Sequence, residues 1–81
     1  MKHKQLELTS KISTIADLGK VVLCARKEQH LTQADIAGLA HTGNRFLVDL
    51  EKGKPTIQMQ KALDILELLG FELIVRKKGS Q

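Results

Sequence analysis

The fold is decided by the stretch 31-LTQADIAGLAHTGNRFLVDLEKGKPT-56. Thr32 and Asp35 have the spacing of a helix N-cap followed by an acidic third residue, and apolar residues then recur at helical spacing. A second apolar pattern ends at Gly53, which is placed to form a left-handed helix cap. The stretch therefore predicts two short helices that are joined by a tight turn over residues 41–43.

Similar signals predict a helix on each side of this pair. Ser13 or Thr14 is expected to cap the first helix, and Thr14 and Asp17 have the spacing of a capping box. This helix is expected to run to about Gln29. Because a proline follows the third helix, Thr56 is predicted to cap a fourth helix over about residues 57–69. The predicted buried stripe of the first helix consists of Ile15, Leu18, Val22 and Ala25.

The segment 71-FELIVRK-77 carries β-branched and aromatic residues at a period of two, which predicts a strand. A single strand in a helical chain lacks a partner unless residues 5–8 supply one, so a matching strand from a second copy is the simplest solution. The alternative is a C-terminal extension that folds back on the domain. The predicted dimerisation residues are Ile65, Leu68, Leu69, Phe71, Leu73, Ile74 and Val75.

Composition limits the function to a small set of classes. The chain has 81 residues, which is one small domain, and a net charge of +4, which permits a polyanionic partner. Two aromatic residues, Phe46 and Phe71, are too few for a base-stacking platform. Cys24 is the only cysteine, and no His cluster or catalytic set is evident, so we expect no metal, no cofactor and no enzymatic activity. Without a signal peptide or a long apolar run, the expected location is cytoplasmic.

The central helix pair is a helix-turn-helix candidate. Ala37 is small enough for the helices to cross closely, as is Gly38, and Leu47 and Leu50 are expected to face inward. In such a unit the N-terminal residues of the second helix reach base edges in the DNA major groove. Arg45 can bond a guanine edge in two places, whereas its alternative role is that of an ordinary surface arginine. The predicted DNA contacts are Gln33, Thr42, Asn44, Arg45, Val48, Asp49, Lys52 and Lys54.

Several of these residues have an alternative role that the sequence leaves open. Asn44 can read adenine or simply cap its helix, and Asp49 can accept from a cytosine amino group or repel wrong bases. Lys52 can contact a phosphate or compensate the negative end of the helix dipole. Phe46 is expected to pack against the first or fourth helix rather than to touch a thymine methyl group.

Residues 31–56 resemble the lambda-repressor-like, or XRE, helix-turn-helix family in the LTQ-x-x-IA opening and the LEKGKPT close. More narrowly, NRFLVDLEKGKPT, followed by a helix ending in LLG and by FELIV, resembles the HipB-type antitoxins. The resemblance implies a homodimer that binds an inverted repeat, represses its own operon and holds a HipA-type serine/threonine kinase toxin inactive.

Site residues carry over by position in this resemblance. Gln33 falls at a phosphate contact, and Asn44, Arg45 and Asp49 fall at base-facing positions. Arg26 and Glu51 fall at the positions of a structural ion pair. Two residues depart from the family pattern, namely His41 in place of a turn glycine and Gly43 in place of a small hydroxyl residue.

The expected fold is mainly α: a four- to five-helix lambda-repressor-like domain over residues 13–70, with a dimerisation strand over residues 71–77 that pairs across a homodimer. Residues 1–12 are expected to form a tail or a short strand, and residues 78–81 a tail. The alternative functions are a protein-interaction adaptor and a plain XRE-type regulator without a toxin partner. Replacement of Arg45 distinguishes a DNA reader from an adaptor.

Overall fold

The computed structural model describes residues 9–79, and this part of the chain contains four helices. They are α1 (Ile15–Glu28), α2 (Gln33–Leu39), α3 (Asn44–Glu51) and α4 (Met59–Leu68). Both α1 and α2 pack against α3, which places α3 at the centre of the domain. The mainly α fold is therefore confirmed with four helices.

The terminal predictions fall partly outside the described residues. Residues 1–8 and residues 80–81 lie beyond that part, so most of the strand or tail predicted over residues 1–12 and the end of the predicted C-terminal tail remain predictions. No helix in residues 9–79 has the length and apolar character needed to cross a membrane.

The two predicted capping boxes are both present. The hydroxyl of Thr14 accepts from the backbone N–H of Asp17 at 3.1 Å, and the hydroxyl of Thr32 accepts from the N–H of Asp35 at 3.0 Å. Each aspartate carboxylate accepts in return from the backbone N–H of its threonine. These local contacts satisfy amide groups that a helix leaves without a partner in its first turn. They define where α1 and α2 begin.

The predicted start of the fourth helix is wrong by two residues. Residues 55–56 form a turn, and α4 begins at Met59 with Gln58 as its N-cap, not at residue 57 after Thr56. Ile57, between this turn and the N-cap, packs its side chain against the core. The N-cap Gln58 is the residue with an extended backbone, so the helix begins only after it.

Stability at acid pH is expected to depend on the two capping carboxylates. The backbone N–H of Ser13 lowers the pKa of Asp17, and the backbone N–H of Thr32 lowers the pKa of Asp35, in each case below the ordinary value of 3.8. Because the folded pKa values are depressed, this stabilisation is present above pH 3.8 and is lost as pH falls through the lowered values. The double variant Asp17→Asn, Asp35→Asn should therefore lose less stability between about pH 5 and pH 2 than the parent, measured by urea unfolding.

A matched control for this experiment is Asp64→Asn, which removes a carboxylate from the exposed side of α4, outside both capping boxes. This variant should keep the acid dependence of the parent apart from its own titration. Equal acid dependence in the parent and in the double capping variant would contradict the role assigned to the two carboxylates.

One apolar core joins all four helices. The inner side of α3 supplies Leu47 and Leu50, whose side chains are fully buried, as predicted. A core of this size is modest, as expected for a chain of this length. The buried apolar residues are Leu18, Val22, Ala25, Ile36, Ala37, Leu47, Leu50, Ala62, Ile65, Leu66 and Leu69.

The closest helix approach lies between α1 and α3. A Cβ atom on Gly19 would overlap the carbonyl oxygen of Leu50, so only glycine allows α1 to lie this close to α3. Gly38, which the sequence suggested as a crossing point alongside Ala37, is exposed and has open space where a Cβ would stand. Gly53 adopts φ +80°, and a Cβ there would lie 2.7 Å from the Cα of Ala16. Its predicted left-handed cap is confirmed.

The C-terminal segment forms no strand within the described residues. Residues 71–77 have no regular secondary structure, and only their first residue, Phe71, packs against the core. Ile74 and Val75 are 70% and 94% exposed. The protomer leaves this segment uncovered, and its pairing with a second copy remains a prediction.

The predicted dimerisation residues divide into two groups in the protomer. Ile65 and Leu69 are buried in the core of their own chain, because they lie on the side of α4 that faces the other helices. Leu68 and Leu73 are partly exposed, like the more open Ile74 and Val75. A dimer surface on this protomer would use the exposed group.

Candidate nucleic-acid interface

The turn between α2 and α3 is compact and closed by backbone hydrogen bonds. The N–H of Thr42 donates to the carbonyl of Ala37 at 2.9 Å, and the N–H of His41 donates to Gly38 at 3.3 Å. His41 adopts the left-handed conformation with φ +55°, as its position in place of a glycine suggested. Gly43 is the N-cap of α3 and offers no side-chain cap. These features fix how α3 leaves the turn.

The side-chain hydroxyl of Thr42 is not exposed, as that of a DNA contact would be. Its hydroxyl oxygen is buried and has no hydrogen-bond partner among the described residues. A buried hydroxyl of this kind is unusual, since most find a partner. The predicted contact between Thr42 and DNA would therefore be made by the backbone of Thr42, or would require a local rearrangement that exposes its hydroxyl group.

The outer side of α3 is open and polar at its N-terminal end. Asn44 and Arg45 are exposed, and the side chain of Arg45 has 83% of its surface accessible. Val48, one turn later, is half-buried. Because Leu47 and Leu50 lock the inner side of the helix into the core, the outer side chains are carried on a fixed element.

Asp49 is held by two basic side chains. Its Oδ1 lies 3.2 Å from Nε of Arg45, and its Oδ2 lies 3.7 Å from Nζ of Lys54. The side chain of Asp49 is only 19% exposed, in contrast to that of Arg45. The sequence placed Asp49 facing the bases but did not anticipate either ion pair.

The predicted ion pair between Arg26 and Glu51 is present, and it is bidentate. Nε and Nη2 of Arg26 donate to the two carboxylate oxygens of Glu51 at 2.7 and 2.9 Å, and Nη1 donates to the carbonyl of Leu31 at 2.9 Å. Their side chains are 11% and 6% exposed. The pair therefore ties α1 to the end of α3, and Arg26 also ties α1 to Leu31, which precedes the N-cap of α2.

The hydrogen bond to Glu51 raises the pKa of Arg26 above its ordinary value. A group whose pKa is raised on folding stabilises the fold at every pH below its pKa in the unfolded chain, and this stabilisation is lost only as pH rises above that value. The contribution of Arg26 to stability is therefore constant over the ordinary pH range.

Gln33 joins the same network. Its side-chain Nε2 donates to Oε1 of Glu51 at 2.9 Å. The amide group that was predicted to meet a DNA phosphate thus donates to a carboxylate of the protein itself. The predicted phosphate contact would require Gln33 to exchange this hydrogen bond for one to DNA.

The remaining predicted residues divide between surface and core. Lys52 and Lys54 are exposed at and just after the C-terminal end of α3. Phe46 packs partly against the core, and Nζ of Lys61 on α4 lies 5.7 Å from its ring centroid. This agrees with the expected packing of Phe46 against α1 or α4. Cys24 is a free, partly buried thiol, and residues 9–79 contain no cluster of three or more metal-ligating side chains.

A tight turn joins the two short helices α2 and α3, and α3 is buried on one side and bears polar side chains on the other. These features define the class of helix-turn-helix DNA-binding domains. The sequence profile of the family described as HTH_3, Helix-turn-helix, matches residues 25–75. The chain belongs to this helix-turn-helix family, whose members are DNA-binding transcriptional regulators and not enzymes. The resemblance to the lambda-repressor-like family is thereby confirmed.

Comparison with individual proteins gives one close relative in sequence and several in fold. The uncharacterized HTH-type transcriptional regulator y4mF of Sinorhizobium fredii is 45% identical over 74 residues, which cover 91% of this chain and 97% of that protein. The structure titled HipB-O4 20mer complex has a TM-score of 0.78 at 16% identity, covering 86% of this chain and 99% of that one. The structure of a HipA-HipB-O2-O3 complex gives the same values. At this identity the likeness concerns the fold.

Proposed function

We propose that this chain is a homodimeric, sequence-specific repressor that binds an inverted-repeat operator through α3 and regulates its own operon. One observation carries the proposal: exposed Asn44 and Arg45 stand in the first turn of a helix whose opposite side is locked by Leu47 and Leu50. Preorganised side chains of these two types suit adenine and guanine edges in the major groove. Phosphate contacts from Lys52, Lys54 and Gln33 supply affinity that depends on salt.

The dimer is supported by the C-terminal segment. Leu73, Ile74 and Val75 form an exposed run of β-branched and apolar residues directly after α4. An unpaired run of this kind is completed when the same segment of a second copy pairs with it. Such a dimer carries two α3 helices, so its half-sites lie about one DNA turn, roughly 10 base pairs, or a multiple of it apart.

The finer proposal is that the chain is the antitoxin of a HipA-type kinase toxin and acts in the cytoplasm. It is supported by the HipB-like motif over residues 44–56 and by the fold shared with HipB in the HipB-O4 20mer complex and in the HipA-HipB-O2-O3 complex.

A competing proposal is an adaptor that binds another protein. It is favoured by an open, mainly apolar groove beside α2, lined by Leu31, Ala34, Asp35, Gly38 and Leu39. Leu39 is 59% exposed, although leucine is among the residue types that are most often buried. An adaptor and a DNA reader differ in what they lose when the outer side of α3 is altered.

Two measurements on the purified full chain test the proposal. Sedimentation equilibrium should give a dimer, and fluorescence anisotropy should show tight, salt-dependent binding to DNA from upstream of its own reading frame relative to a scrambled duplex of equal length. Co-expression with a kinase encoded beside it should give a stable complex with reduced kinase activity. Binding of both duplexes with equal affinity would contradict the repressor, and absence of a kinase complex would leave a regulator without a toxin.

A further inference from the structure

The feature that the proposed function does not use is the carboxylate of Asp49. An acidic side chain on a DNA-facing helix lies in the field of the phosphates, which disfavours it unless it is paired. Here each carboxylate oxygen faces a different cation, Arg45 at 3.2 Å and Lys54 at 3.7 Å. The negative charge is therefore compensated inside the protein, and the three side chains together keep a net charge of +1.

The geometry of the contact decides which edge of Arg45 is free. Asp49 lies against Nε, which is on the stem side of the guanidinium group. The outer edge of the group carries Nη1 and Nη2, and this fork is the part that matches O6 and N7 of guanine. With 83% of its side chain accessible, Arg45 keeps the outer edge open to solvent.

The ion pair with Asp49 restricts the side chain of Arg45, and this matters because an unpaired arginine has many side-chain conformations. An exposed long side chain loses much of this freedom on binding, and each contact that fixes it beforehand reduces that loss. Arg45 and Asp49 are one helical turn apart, so the pair forms within α3 and needs no other element. Lys54, beyond the end of α3, holds the second oxygen and restricts the rotation of the carboxylate itself.

We propose that Asp49 is a positioning residue that holds Arg45 with its outer edge toward the groove and thereby sets the preference for guanine at the base that Arg45 reads. The proposal rests on the DNA-binding function proposed above and deepens it. Asp49 acts through Arg45 and does not itself bond a base. The alternative, that Asp49 accepts a hydrogen bond from a cytosine amino group, predicts a different base position and independence from Arg45.

The test measures affinity for a duplex with the preferred operator sequence and for duplexes in which each half-site position is changed in turn. Asp49→Ala is expected to reduce the preference for guanine at the Arg45 position by about tenfold, within the range of a good bidentate contact. Affinity for scrambled DNA should stay equal or increase, because the variant gains one unit of positive charge. In the Arg45→Ala background, Asp49→Ala should cause no further loss of preference at that position.

Two further variants separate positioning from general effects. Asp64→Ala removes one negative charge from the exposed side of α4, so it measures the purely electrostatic change in DNA affinity. Asp49→Glu keeps a carboxylate within reach of Arg45 and should recover part of the lost preference. Thermal unfolding checks that the variants remain folded, and Asp49→Asn serves in place of Asp49→Ala if the latter does not fold.

The outcomes distinguish this proposal from the one on which it depends. If the parent chain shows no preference among duplexes, the proposed repressor function fails. If the parent prefers its operator and Arg45→Ala abolishes the guanine preference, but Asp49→Ala leaves it intact, the positioning role is overturned. If Asp49→Ala instead reduced the preference at a cytosine position, and did so in the Arg45→Ala background as well, Asp49 would itself read a base.

Discussion

Replacement of Glu51 by alanine is expected to lower the free energy of unfolding by about 3–5 kcal/mol, the range for removal of one partner from a buried ion pair. The variant leaves the guanidinium of Arg26, which is 11% exposed, without its carboxylate. It also removes the acceptor for Nε2 of Gln33. In a domain of this size such a loss shifts the thermal midpoint downward by more than about 10 °C.

The size of this effect follows from the number of groups that converge on Glu51. Its two oxygens accept three hydrogen bonds, two from Arg26 and one from Gln33. Arg26 also donates to the carbonyl of Leu31, so the network links α1, the segment before α2 and the end of α3. Loss of the carboxylate therefore loosens the element that carries the proposed DNA contacts as well as the fold.

Calorimetry or urea unfolding measures the effect, with Glu67→Ala as the matched control. Glu67 is an exposed glutamate on α4, so its removal should change the stability by less than about 0.5 kcal/mol. The double variant Arg26→Met, Glu51→Leu should recover much of the loss, because it leaves no buried charge without a partner. Similar stabilities of Glu51→Ala and Glu67→Ala would show that the pair contributes little.

Local signals explain the parts of the fold that the sequence predicted correctly. The capping boxes at Thr14 and Thr32 and the left-handed cap at Gly53 depend on residues within three or four positions of each other. The inward positions of Leu47 and Leu50 follow from helical periodicity alone. The Arg26–Glu51 pair joins residues that are distant in sequence, and it was predicted only through the family resemblance.

Contacts between distant elements account for what was missed. Gly19 looks like an ordinary helix residue until α3 is placed against it, because its role depends on the carbonyl of Leu50. The same is true of Gln33, whose bond to Glu51 depends on the packing of α2 on α3. Ile65 and Leu69 were assigned to a dimer surface because α4 is apolar on more than one side, and periodicity cannot say which side meets the protomer's own core.

The pairing of Asp49 with Arg45 could have been found from the sequence. The two residues have the i, i+4 spacing at which opposite charges on a helix meet. A DNA-reading role for each residue separately does not include this interaction. The two side chains on the outer side of α3 contact each other within the protein, so the spacing alone predicts the ion pair.

Replacement of Arg45 by alanine is expected to give the largest loss of operator affinity. One bidentate contact to guanine contributes about 1–3 kcal/mol, and a dimer carries two copies, so the expected loss is about 2–6 kcal/mol. This range corresponds to a roughly 30-fold to 10⁴-fold increase in Kd. The variant should fold like the parent, because the side chain of Arg45 is 83% exposed and its ion pair with Asp49 lies on the surface of α3.

A base contact and a phosphate contact leave different signatures in the same titration. Loss of Arg45 should weaken binding to the operator far more than binding to scrambled DNA. In contrast, Lys52→Ala should weaken both similarly and reduce the salt dependence by about one ion per subunit, because Lys52 is exposed and lies outside the ion pairs of Asp49. Lys20→Ala is the charge-matched control, since Lys20 is exposed on α1, which packs on the inner side of α3. It should change operator affinity only slightly.

The Arg45→Lys variant adds a test of geometry. Lysine keeps the charge but has no planar fork, so it should retain affinity for scrambled duplex and lose most of the preference for guanine. If Arg45→Ala bound the operator as tightly as the parent, Arg45 would not be a residue that reads the operator. If instead neither the parent nor Lys20→Ala distinguished the operator from scrambled duplex, the groove around Leu39 would be the better candidate for the functional surface, and the chain would be better described as an adaptor.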